Sequence, residues 1–154
     1  MEYKAYYVEE KDGVFSSSIQ SLEIPEPQDG ELLISVSYSS LNYKDALCAT
    51  GVKGVAASYP FVPGIDAVGT VAKSNSDAFH EGDKVICSGY KLGMNTNGGF
   101  GSLICVPADW VVHLPSAMSD FEAMSYGVAG LTSAACVKSI IDKGVIDTLP
   151  IAVS

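Results

Sequence analysis

From residue 31 to residue 38 the chain reads E-L-L-I-S-V-S-Y, alternating apolar and polar from Leu32 onward, and that period of two predicts a β-strand. Similar short runs predict strands over 4–8, 66–72, 83–88, 100–106 and 110–114. Lys11-Asp12-Gly13 is a turn signal that folds the first strand into a hairpin. Residues 24–30, I-P-E-P-Q-D-G, are expected to be irregular, because closely spaced prolines remove backbone donors. Asn42 has the chemistry of an N-cap and opens a short helix in which Tyr43, Ala46 and Leu47 share one face. Residues 51–58 and 90–99 are loops of small residues, the first expected to lie over a cleft.

Past residue 115 the period changes from 2 to 3.6. Ser119-Asp120-Phe121-Glu122 is a capping box opening a helix, and Gly127 and Gly130 bracket a break. Leu131, Ala134, Val137, Lys138 and Ile141 then continue a second helix towards Gly144, a natural C-cap. Short strands at this spacing followed by helix predict a mostly β protein with α, built as a partly open β-barrel.

The junction at 59–71, Y-P-F-V-P-G-I-D-A-V-G-T-V, organises the rest. Its prolines and Gly64 force a turn, and Gly69 lets another backbone come close to the strand that follows. Upstream lies S-S-L-N-Y-K-D-A-L at 39–47; downstream lie E-G-D-K-V-I at 81–86 and G-G-F-G-S at 98–102. In this order and spacing the motifs resemble the N-terminal, GroES-like catalytic domain of the medium-chain dehydrogenase/reductase superfamily. N-Y-K-D-A-L followed by P-G-I-D resembles its zinc-free quinone oxidoreductases, and more narrowly their acrylyl-CoA reductase-like branch.

That resemblance implies a GroES-like domain over 1–128 and, from 129 to 154, a crossover helix and the first parallel strand of a Rossmann nucleotide-binding domain, with Ile151-Ala152-Val153-Ser154 as that strand. No glycine-rich dinucleotide turn such as G-x-G-x-x-G occurs in the chain, so the resemblance also implies an N-terminal portion or a truncation, cut before the cofactor cradle. It implies hydride transfer from NADPH to a quinone or a small enoyl thioester, without zinc. Zinc alcohol dehydrogenases of the superfamily place Cys and His ligands where this chain has Asn42 and Ile65, and neither an amide nor a hydrocarbon holds Zn²⁺. Asn42 is then the amide orienting nicotinamide or substrate, and Tyr43 a hydroxyl donor or proton source. Asp45 is an orienting carboxylate, Lys44 a partner for an acyl-CoA phosphate and Ile65 a substrate-side contact. Thr132, in G-L-T-S-A, corresponds to a threonine beside the nicotinamide. A structural alternative exists at each: Asn42 as cap, Tyr43 packed, Lys44 solvated, Thr132 bonded to its own i−4 carbonyl.

Composition narrows the partners. The chain has 154 residues, 47% of them apolar and 18% charged, which suits one good core. Its formal charge is −9, with nine lysines and no arginine, so nucleic acid is not an expected partner. No apolar run near the roughly 20 residues of a membrane span is evident, and the first residues lack the basic-then-apolar order of a secretory signal. A cytoplasmic protein is expected, with a small-molecule substrate, no membrane partner and, from the resemblance, a homodimeric complete form. Cys48, Cys87, Cys105 and Cys136 are scattered without a C-x-x-C pair, predicting four reduced thiols with packing roles. A cofactor-free GroES-like interaction module is the competing reading of the same chain.

Overall fold

The computed structural model describes residues 1–56 and 58–144. Strands β1 (Glu2–Lys11) and β2 (Val14–Glu23) form an antiparallel hairpin. Strands β3 (Glu31–Tyr38), β4 (Asp66–Ser74), β5 (Lys84–Ser88), β6 (Leu103–Pro107) and β7 (Val111–His113) form an antiparallel sheet in the order β6-β3-β4-β5-β7. Helix α1 (Tyr43–Ala49) stands between β3 and β4, and α2 (Asp120–Asp142) follows β7. The sheet curls into a half-barrel followed by a helix, the mostly β architecture that the alternation predicts. The expected strand at 151–154 lies outside the described residues.

Alternation decides which side chains fill the barrel. Leu32 and Ile34 of β3, Ala67 and Val71 of β4, Val85 and Cys87 of β5, and Ile104 and Val106 of β6 meet in one buried cluster. At Gly69 the sheet leaves no room for a side chain: a Cβ there would sit 2.0 Å from the Ser35 carbonyl oxygen. The hairpin closes one side of this layer, with Val8 and Phe61 exchanging backbone hydrogen bonds of 2.9 and 3.1 Å and the Tyr6 N–H donating to the Phe100 carbonyl at 2.9 Å. The opposite face of β4 and β5 presents Val68 and Ile86 to Ala123 and Met124 of α2.

Several expectations need correction. Strand β6 begins at Leu103 rather than residue 100, because Phe100, Gly101 and Ser102 bond to the hairpin instead. Trp110 closes a 3₁₀ turn, Ala108–Trp110, before β7 starts. On α1 the buried residues are Asp45 and Cys48, while Tyr43 is 80% exposed, so the apolar spacing misjudged the packed face. Asp45 turns inward because the backbone N–H groups of Asn42, Gly64 and Ile65 converge on its carboxylate. The helix breaks once, at Gly127 (φ 51°, ψ −159°), and runs through Gly130 without interruption. Gly144 ends it as expected, with φ +68° and its N–H on the Ile141 carbonyl. At 23 residues α2 is also long and apolar enough, by length and composition alone, to cross a membrane, which no run in the sequence had suggested.

Candidate functional site

The site is built where α1, the turn at 63–66 and the break in α2 converge. Asn42 sits in extended conformation before α1, and its backbone N–H donates to the Asp45 carboxylate at 2.8 Å. The Asp45 N–H returns to the Asn42 carbonyl at 3.0 Å. The other oxygen of Asp45 accepts from the N–H groups of Gly64 and Ile65, at 3.1 and 3.0 Å. This carboxylate, 1% exposed, therefore staples the 63–65 turn to the start of the helix. Burial pushes its pKa above the ordinary aspartate value, and the N–H groups of Asn42, Ile65 and Gly64 pull against that rise.

Asp66 is the second buried carboxylate, fully enclosed at the first position of β4. It accepts from the Asn42 side-chain amide at 2.9 Å and from the Val128 N–H at 3.1 and 3.2 Å, one distance to each oxygen. Ser39 donates to its backbone carbonyl at 2.6 Å, and Ser40 donates to the Met124 carbonyl. Thr132 donates its hydroxyl to the Val128 carbonyl at 2.8 Å. Asn42, Asp66, Val128 and Thr132 thus form one chain of hydrogen bonds from barrel to helix.

Placed in this frame, the sequence-derived residues separate. Asn42 caps α1 through its backbone and spends its side-chain amide on Asp66. Tyr43 and Lys44 project into solvent beside it. Asp45 is a structural staple that faces one cleft, about 530 Å³, lined also by Tyr6, Leu41, Ala46 and Phe100; another lies beside α2. Ile65 is buried and lines neither cleft; its contribution is an N–H to Asp45. Thr132 lies on the exposed part of α2, in the i−4 bond that mid-helix threonines favour. Asp66 and Ser40 were not singled out from sequence. The available signal was a charged residue opening an otherwise apolar strand, and two adjacent hydroxyls before Asn42.

A second cleft, about 540 Å³, opens between β5, β7 and α2, lined by Ile86, Tyr90, Trp110, Val112, Tyr126 and Leu131 among others. Tyr90 stacks on Trp110 with ring centroids 5.5 Å apart and planes within 3°. Among the described residues no group of three or more His, Cys, Asp or Glu side chains comes together in a way that could hold a metal ion. At the two positions where zinc relatives carry ligands, Asn42 faces a carboxylate with its amide and Ile65 presents hydrocarbon. His113 ends β7 against Phe79, ring centroids 4.7 Å apart, as a strand-end residue.

A curled half-barrel sheet followed by a helix is the arrangement of the GroES-like domain of alcohol dehydrogenases. Residues 28–116, more than half of the chain, match that domain family, "Alcohol dehydrogenase GroES-like domain", and the chain belongs to it, within the medium-chain dehydrogenase/reductase superfamily. It is 38% identical over 142 residues to the probable acrylyl-CoA reductase AcuI of Escherichia coli, covering 92% of this chain and 44% of that protein. The fold superposes on the yhdH oxidoreductase of Salmonella enterica in complex with NADP, with a TM-score of 0.86 and 40% identity over 92% of this chain and 44% of the other. It superposes equally on Bacillus subtilis yhfP with NAD bound, with a TM-score of 0.88 and 38% identity over 94% and 44%. The chain thus spans less than half the length of these relatives.

Proposed function

We propose that this chain is the substrate-side portion of a zinc-independent, NADPH-dependent oxidoreductase that delivers hydride to a quinone or to the double bond of a small enoyl-CoA of the acrylyl type. The observation that carries the reading is the hydrogen-bonded line from Asn42 through Asp66 to Val128 and Thr132, with Tyr43 and Lys44 exposed at its barrel end. The names and bound nucleotides of the relatives support the same class.

In this reading residues 1–128 are the substrate domain and 129–154 open a nucleotide-binding domain, in a cytoplasmic protein whose complete form is a homodimer. Bound NADPH supplies the hydride. The chain's own residues supply the rest: Thr132 and the Asn42 carbonyl-bearing side chain orient the nicotinamide edge, while the Tyr43 hydroxyl meets negative charge as it develops on the substrate oxygen or hands over a proton. Lys44, a solvated cation one residue on, meets an acyl-CoA phosphate. Asp45 orients, since it is already engaged by three backbone N–H groups. Polarisation of the carbonyl falls to hydrogen bonding, because Asn42 and Ile65 replace the two metal-ligand types.

The test is NADPH calorimetry on this chain and on a form extended to the relatives' length, with acryloyl-CoA and quinone reduction measured on both. Binding and turnover by the extended form, lowered about 10²-fold or more by Tyr43→Phe, is the expected result. An extended form that neither binds NADPH nor reduces either substrate sinks the reading and leaves the interaction module.

A further inference from the structure

In an unbroken α-helix the N–H of residue 128 donates to the carbonyl of residue 124. Gly127, at φ 51° and ψ −159°, pulls these two groups apart. Neither is left unpartnered: the Val128 N–H goes to the Asp66 carboxylate and the Met124 carbonyl accepts from the Ser40 hydroxyl. The barrel therefore holds both ends of the helical hydrogen bond from Val128 to Met124. Asp66 also supplies acceptor oxygens at the N-terminus of the second helical part, where the first N–H groups lack helical partners. Nothing larger than glycine fits between these partners, because a Cβ at Gly127 would lie 2.5 Å from the Ser40 hydroxyl and 2.8 Å from an Asp66 oxygen.

We propose that Asp66 and Ser40 form a latch that sets the angle between the barrel and the helical segment 128–142. The latch goes beyond the oxidoreductase reading and does not depend on it. Asp66 shares one oxygen between Asn42 and Val128, so the direction of the helix and the placement of the Asn42 amide are fixed by the same atom. Re-forming the straight helix would return the Val128 N–H to the Met124 carbonyl but leave a fully buried carboxylate with Asn42 as its remaining partner, which is why the bent form holds.

The experiment is a pulsed dipolar distance measurement between nitroxides on exposed Cys136 and on Glu81→Cys at the barrel rim, in a Cys105→Ser background. Cys136 lies eight residues beyond Val128, a lever of about 12 Å, so a change of roughly 20° in the bend moves it by about 4 Å. The expected result is one narrow distance for the native latch, a shift or broadening of about 4 Å for Asp66→Ala and Gly127→Ala, and a smaller broadening for Ser40→Ala. Val128 amide exchange should accelerate at least tenfold, by rough estimate, in Asp66→Ala, with Val85 in the barrel unchanged. If Asp66→Ala does not fold, Ser40→Ala and Gly127→Ala decide. Distances unchanged in the folded variants overturn the latch.

Discussion

The two parts of α2 follow one another without a loop, yet they live in different environments. Residues 120–126 are fastened: Ala123 and Met124 pack on Val68, Phe121 meets Tyr38 edge-on at 5.9 Å, and Asp120 pairs with Lys84 at 2.7 Å. Residues 128–142 are held at their start by Asp66 and otherwise expose Leu131, Val137 and Ile141. The same helical propensity thus serves two ends, because tertiary burial rather than local sequence decides which part contributes stability. The fastened part belongs energetically to the barrel; the distal part is an arm that it carries.

The largest way to break this contrast is Met124→Ala, which removes a buried side chain and should cost about 2–5 kcal/mol, whereas Leu131→Ala on the arm should stay within about 0.5 kcal/mol. Urea melts of both variants measure the difference, and equal losses would erase it. A smaller effect follows from charge. Lys84 holds the Asp120 pKa below its ordinary value of 3.8. Its stabilisation, of order 0–1 kcal/mol for such a pair, is complete above 3.8 and is lost as pH falls through the lower folded value. Asp45 has the opposite sign: its raised pKa makes ionisation a cost that protonation relieves on the higher side of 3.8. The stability difference between the parent and Asp120→Asn should therefore be constant above 3.8 and shrink as pH falls below it. The smallest perturbation is chemical labelling. Burial pushes the Cys87 thiol up to about 12, and burial with Glu31 nearby does the same for Cys105, while Cys136 stands exposed on the arm. A maleimide at neutral pH should modify Cys136 first and leave the melt unchanged.

Much of the barrel was legible because alternation is a local signal. Leu32, Ile34, Val85 and Val106 each report their face through their immediate neighbours, and Lys11-Asp12-Gly13 and Ser119–Glu122 report their turn and cap within four residues. The site was legible only in part. Spacing could place Asn42 at a helix start, but that its amide turns to Asp66 depends on β4 lying alongside. Tyr43 and Ala46 looked like the packed face until Asp45 and Cys48 took it, since three backbone N–H groups converging on a carboxylate leave no periodic trace. Gly127 and Gly130 were equivalent by composition; only Ser40 and Asp66, far earlier in the chain, distinguish them. The exposed Cys136 departs from the packing role expected of it, because the arm that carries it has little to pack against.

The bond between Asp66 and Val128 spans 62 residues. During synthesis every strand of the barrel emerges from the ribosome before Val128 does, so the acceptor precedes its donor into solution. Closing so long a loop costs only about 0.6 kcal/mol more than closing one of half its length. The order of translation thereby presents the strands first, and the helix comes to them from the C-terminal side.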